Sequence, residues 1–269
     1  MRVAYLDAFS GISGDLFLGA LVDVGVPVED IQDAVDRLGI DGLRLAATRT
    51  RRNGVASTKV DVAYPTQREL RHLCQIVTMI GGSSLPAGVK ARAAAVFERL
   101  AMAEAAVHGV GIDEVHFHEV GAADALADVV GSVAGLQRLG VEALLVGSIN
   151  VGSGQVRCAH GVLPVPAPAT LELLSGWTCH AAGPCRELTT PTGAALVTTI
   201  GLQVEALPAM RVQSSGYGAG GSDYHGWPNV LRLVVGEAAA LPGPIGEGLI
   251  AEVESLGDAV PSPREGLAP

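Results

Sequence analysis

Only four cysteines (Cys74, Cys158, Cys179 and Cys185) occur among 269 residues, scattered and without a C-x-x-C pair. That is too sparse for a disulfide framework and points to a reduced, cytoplasmic protein. Basic charge is also scarce. Against 28 Asp and Glu there are 18 Lys and Arg, for a net charge of -10 and a pI near 5.1. Such a chain lacks the basic surface that DNA and RNA backbones demand, so a nucleic-acid partner is not expected. Acidity does suit divalent cations, although most such charge only solubilises. No stretch reaches the roughly 20 uncharged apolar residues of a membrane span. The N-terminal M-R-V-A-Y-L-D-A-F is interrupted by Asp7, and Asp15 follows with no small-residue cleavage site, so it does not read as a secretory signal. There is no internal repeat.

With 48% hydrophobic residues the chain can bury a sizeable core. A short buried strand is expected over 3–9, then a Gly/Ser turn and a helix over about 13–24 with Ser13 as N-cap. Pro27 and Gly39 bracket a second helix over 28–38. Asn53-Gly54 suits a hairpin turn between strands 43–50 and 55–63. Helices follow over 67–80 and 86–108, the second with apolar residues at helical spacing. A short strand over 114–118, a helix over 119–139 and a strand over 144–151 come next. Pro164, Pro166 and Pro168 lead into a short helix ending near Gly176. Another helix starts within Thr189–Gly193, and strands at about 209–215 and 229–235 close the folded part. The reading is α/β in the mixed α+β sense, a compact region with helices packed on a mixed sheet. Residues 1–236 form the expected domain. Residues 237–269 turn to Ala, Gly, Pro and Glu without an aromatic residue and read as a linker or disordered tail.

The densest chemistry lies in H-F-H-E-V-G-A-A-D-A-L-A-D, residues 116–128. On a strand, His116 and His118 share a face. Asp124 and Asp128, four apart, share a face of the following helix, and Glu119 lies at the junction. From Val120 to Gln137 these two aspartates are the only charged residues. A helix apolar nearly all round is buried, and an unpaired buried carboxylate costs several kcal/mol, so both need partners. Gly121, Gly131 and Gly135 on roughly the same side would admit a close neighbour. A single His or Asp is more often structural. Five such groups in thirteen residues point to metal or substrate contact, and imidazole with carboxylate suits nickel, zinc or manganese.

Three glycine-rich turns are candidate anion sites. D-A-F-S-G-I-S-G-D (7–15) leaves a strand and enters a helix, so free N–H groups near Ser13 and Gly14 favour phosphate, while Asp7 and Asp15 point to a cation. An ordinary strand–helix turn with Asp15 on the helix dipole is the competing reading. E-L-T-T-P-T-G (187–193) places the Thr189, Thr190 and Thr192 hydroxyls at a helix start, as caps or as a phosphate cradle. S-G-Y-G-A-G-G (215–221) is read as a loop; it opens no long helix and is not a dinucleotide fingerprint. His160 follows Cys158 in R-C-A-H-G; the pair could ligate a metal if presented on one face, with packing the simpler role for Cys158. His72, His108, His180 and His225 form no pattern.

Taken in order, Y-L-D-A-F-S-G-I-S-G-D-L-F-L-G-A-L, H-F-H-E-V-G-A-A-D, N-V-G-S-G, A-H-G-V-L-P-V-P-A-P-A-T, E-L-T-T-P-T-G-A-A-L and G-Y-G-A-G with P-N-V-L-R resemble the LarC-type nickel insertion protein family over about 1–236. The resemblance implies a CTP-dependent cyclometallation, a lyase-type chelatase activity. It inserts nickel into pyridinium bis-thiocarboxylic acid mononucleotide and makes the nickel-pincer cofactor of lactate racemase-type enzymes. It implies nickel-handling roles for His116, His118, Glu119, Asp124 and His160, with Asp128, Asp7 and Asp15 as further candidates. It also implies CTP with magnesium or manganese on a C-terminal domain that this sequence does not contain, so a separate C-terminal CTP-binding polypeptide is expected. Homo-oligomerisation stays open. Two other classes remain open: a nickel metallochaperone without turnover, and a metal-dependent hydrolase of phosphorylated small molecules.

Overall fold

The computed structural model describes residues 1–64, 71–115, 117, 123–158 and 160–239. Strand β1 (Arg2–Asp7) leads through the Gly/Ser turn into α1 (Gly14–Asp23), then α2 (Val28–Asp36). The hairpin β2 (Arg44–Arg52) and β3 (Val55–Ala63) turns on Asn53 and Gly54, both with positive φ, as a tight two-residue hairpin requires. Helices α3 (Leu73–Gly82) and α4 (Ala87–His108) follow, then a single 3-10 turn at Ile112–Glu114 and α5 (Ala123–Leu139). Strands β4 (Ala143–Val146), β5 (Ile149–Asn150), β6 (Gln155–Cys158) and β7 (Gly161–Pro164) precede α6 (Pro168–Leu173) and β8 (Cys179–His180). Then come α7 (Pro191–Ile200), β9 (Gly201–Gln203), β10 (Met210–Ala219) and β11 (Val230–Ala238). No described helix is long and apolar enough to cross a membrane.

Seven strands form one mixed sheet in the order β2-β3-β10-β11-β1-β4-β9. β1 runs antiparallel to β11 and parallel to β4. Its side chains alternate as a doubly buried strand must: Ala4 and Leu6 join the main helix-side core, and Val3 and Tyr5 a smaller cluster on the other face. The main core is completed by α1, α4, α5 and α7, including Phe17, Phe97, Leu126 and Leu196. The mixed α/β fold with helices on a mixed sheet is therefore as expected.

Several local expectations change. Residues 112–114 form the 3-10 turn, closed by the Glu114 carboxylate accepting from the Gly111 amide at 2.9 Å; His116 and residues 118–122 lie outside the described residues. The expected strand 144–151 breaks at Gly147. Beyond it, β5 leaves the main sheet and pairs with β8. Residues 155–164 form a small hairpin, where only a rigid proline connection was expected. Short β9, at the sheet edge, carries too few residues for a periodic signal. β11 runs through Ala238, two residues into the expected tail; residues 240–269 lie outside the described residues.

The largest correction is at 215–221. Gly216, Tyr217 and Gly218 belong to β10, not to a loop. The reason is close packing: a Cβ on Gly218 would stand 1.8 Å from the Leu16 carbonyl oxygen, and one on Gly216 2.4 Å from the Val24 amide nitrogen. The two glycines, spaced two apart, present one strand face against which the α1 backbone lies. Asp23 at the end of α1 secures the contact by accepting from the Tyr217 amide at 2.8 Å and from the Thr58 hydroxyl at 2.7 Å. Gly218→Ala should therefore destabilise the protein by about 3 kcal/mol through overpacking against backbone. Gly221→Ala, where a Cβ meets nothing within 4 Å, should stay within about 0.5 kcal/mol of wild type. Denaturant unfolding of the two variants side by side checks this.

Candidate functional site

Two helix starts are fastened to each other. The Thr190 amide donates to the Ile12 carbonyl at 3.0 Å, and a Cβ on Gly193 would stand 2.3 Å from that same oxygen. The N-terminus of α7 thus abuts the N-terminus of α1. Helix α5 closes from a third side. A Cβ on Gly14 would meet the Asp128 side chain at 2.2–2.3 Å, so only glycine lets the first turn of α1 lie against that aspartate. Where the three helices and β3 meet there is a cavity of about 410 Å³. Ser13, Gly14 and Asp15 line it from α1, Lys59 and Asp61 from β3, Asp124 and Asp128 from α5, and Glu187, Thr190 and Thr192 from the approach to α7.

Most polar groups in this cavity are engaged by one another. Asp15 accepts from the Ser13 hydroxyl, from the Leu16 amide at 2.9 Å and from the Lys59 ammonium at 2.9 Å. Lys59 also lies 3.2 Å from Asp61. Burial alone would depress the Lys59 pKa, but Asp15 and then Asp61 more than offset it and hold the ammonium above its ordinary value. Asp124 accepts from the Ala125 amide at 2.9 Å. Asp128 differs: its Oδ1 is sealed from solvent and has no hydrogen-bond partner among the described residues. Burial pushes its carboxyl well above the usual range; Asp15 and Asp124 push the same way and Lys59 opposes them. Among the described residues the cavity is lined by five carboxyl groups, that of Asp128 with its pKa raised, against one ammonium, an environment that favours a cation and repels a phosphate.

The sequence candidates distribute as follows. Asp15, Asp124 and Asp128, far apart along the chain, come together here, with Ser13, Gly14, Thr190 and Thr192 on the same cavity. Asp7 instead pairs with Arg232 across the β1–β11 ladder. Thr189 is buried and donates to the Asn150 carbonyl at 2.8 Å, while Thr190 caps α7 by accepting from the Gly193 amide at 3.3 Å. Asn150 is structural in the same way, holding the Phe9 and Ala182 carbonyls at 2.7 and 3.0 Å. The α5 glycines Gly131 and Gly135 admit Leu18, Ile31 and Leu21, so their close neighbours are core side chains rather than a ligand. His116, His118, Glu119 and Gly121 lie outside the described residues; Phe117 between the histidines is buried in the main core. Among the described residues no three His, Cys, Asp or Glu side chains stand close enough to hold a metal.

His160 lines a neighbouring cavity of about 480 Å³ together with Cys158 and His108. Its ring lies 4.8 Å from that of His108, whose Nε2 is 3.4 Å from Glu104. Sequence reasoning missed His108, Lys59, Asp61 and Glu187. Lys59 and Asp61 do carry a faint signal, since residues two apart on a strand share a face. For His108 and Glu187 nothing local marks them.

A family model described as nickel insertion protein matches residues 4–255. A pyridinium-3,5-bisthiocarboxylic acid mononucleotide nickel insertion protein of Desulfitobacterium hafniense is 48% identical over 239 residues, covering 89% of this chain and 59% of the relative. A protein of the same description from a Nocardioides species is 48% identical over 243 residues, covering 90% and 62%. The chain thus spans about three fifths of the length of these relatives. No solved structure matches it.

The state of Asp128 has a measurable consequence. A carboxyl whose folded pKa is raised contributes stability that is fully present below its unfolded pKa and lost as pH rises through the folded value. Without added metal, Asp128→Asn should therefore gain stability relative to wild type as pH rises from about 4, with the difference vanishing in more acid solution. Thermal unfolding of both proteins across that range provides the measurement.

Proposed function

Because this chain belongs to the nickel insertion protein family, we propose that it carries the metal- and substrate-handling part of nickel insertion into pyridinium-3,5-bisthiocarboxylic acid mononucleotide, the substrate in its relatives' names. The observation that carries the reading is Asp128. The Oδ1 of Asp128, sealed from solvent and without a hydrogen-bond partner among the described residues, lies beside Asp15 and Asp124 in a cavity rich in acid, a setting that a cation completes. Nickel is the cargo of this reaction. Asp124 and Asp128 are its ligands from α5, with His116, His118 and Glu119 from the segment that precedes that helix. Mixed imidazole and carboxylate ligation suits a borderline metal. Asp15 is a reserve carboxylate that Lys59 holds until the metal arrives, and His160 handles nickel from the adjoining cavity. Ser13, Gly14, Thr190 and Thr192 line the metal chamber next to the substrate, on the frame that Thr189 braces.

The insertion is a cyclometallation. Nickel–carbon bond formation at the pyridinium ring releases the ring proton, and a carboxylate of this wall takes it up; nickel–sulfur bonds form to the two thiocarboxylates. Residues 1–236 are the unit that does this. CTP, with magnesium or manganese, acts through the part that corresponds to the remainder of the longer relatives, and the product is the nickel-pincer nucleotide of lactate racemase-type enzymes.

In calorimetric titration the chain should bind about one nickel ion tightly. His118→Ala, and Asp124→Asn combined with Asp128→Asn, should each weaken binding at least tenfold while far-UV circular dichroism is unchanged. Unaltered nickel affinity in both variants would remove the site. Residues 1–236 by themselves should bind little CTP and gain insertion activity when the part corresponding to the remainder of the relatives is supplied; tight CTP binding by residues 1–236 would overturn that division.

A further inference from the structure

The carboxylate cavity and its neighbour share Glu187 and Pro191, so they adjoin at the start of α7. Their chemistry is opposite. The first is walled by carboxyl groups. The second, between the end of α4, the β6–β7 hairpin and the start of α6, is walled mainly by aliphatic side chains such as Val107, Val156, Leu163 and Ala169. Its charged and imidazole groups are the tilted His108–His160 pair, Glu104, Glu187 at the shared wall, and Arg157, whose guanidinium makes no hydrogen bond or ion pair among the described residues. A volume of about 480 Å³ with a mostly apolar lining and a few polar groups is the make-up of a small-molecule site.

Resting on the function proposed above, we infer that this second cavity seats the pyridinium mononucleotide. Arg157 takes its phosphate, and its ring is presented to the metal across the wall formed by Glu187 and Pro191. Three observations converge on this. A phosphate dianion placed in the first cavity would face five carboxyl groups and one ammonium, whereas Arg157 offers a forked donor suited to phosphate. At the start of α1, the Ser13 hydroxyl already donates to Asp15 and is not available to a phosphate. A flat cationic ring, finally, finds imidazole faces and the Glu104 and Glu187 carboxylates around it. Contiguity is also what the reaction demands, because the ring carbon and both sulfur atoms must reach the same metal ion.

The test uses the whole chain and titrates pyridinium-3,5-bisthiocarboxylic acid mononucleotide and nickel chloride separately. Leu163→Trp, which fills the cavity, and Arg157→Gln, an exposed change that leaves packing intact, should each weaken nucleotide binding at least tenfold. Both should keep wild-type nickel affinity, which also shows that they fold. If wild type binds the nucleotide and neither variant weakens it, the cavity assignment is wrong while the nickel function stands. Loss of nucleotide affinity in Thr192→Val with both cavity variants silent would seat the phosphate at the start of α7 and overturn the inference. If wild type binds no nucleotide at all, the functional reading fails, and this inference with it.

Discussion

Helix α1 is held at backbone contact on two sides, and the candidate site depends on that double approach. On the sheet side, Gly19 of α1 and Gly216 and Gly218 of β10 leave no room for a Cβ. On the other side, Gly131 and Gly135 of α5 receive Leu18 and Leu21 of α1, and Gly14 receives Asp128. Interiors are packed too densely for such spacing to be loose. Moving α1 outward by one methyl group would separate Asp15 from Lys59 on β3 and from Asp128 on α5, and the cavity would lose its acid wall.

The same constraint explains the unusual state of Asp128. A carboxyl on an otherwise apolar helix is unfavourable unless charge or hydrogen bonds compensate. Asp15 and Asp124 are so compensated, by Lys59 with backbone and hydroxyl donors in one case and by a backbone amide in the other. Asp128 is not, because the glycine beside it brings backbone against its side chain without supplying a donor to Oδ1. Buried groups left in this condition concentrate at functional sites. Lys59 is the local counter-charge, but it is shared by Asp15 and Asp61 and offsets only part of the acid.

Two cavities of contrasting polarity lie on either side of one helix start. The α7 start is well placed to divide them, since Thr190 and Gly193 fix it to the Ile12 loop and Thr189 fixes it to β5.

Much was legible in the residues themselves. The Asn53-Gly54 turn, the α4 periodicity and the Pro191 helix start are local signals, and local sterics produced the elements they announced. The pairing of Asp124 with Asp128 was visible too, because helical spacing alone puts both on one face. What only tertiary structure decided is which distant groups meet them. Lys59 reaches Asp15 because β3 sits beside β10 in the sheet, and His108 meets His160 because the β6–β7 hairpin folds toward the end of α4. The G-Y-G segment shows the limit most clearly. Its composition signals a turn, yet it lies in a strand, because its glycines serve a helix packed across them, and no window of sequence contains that helix.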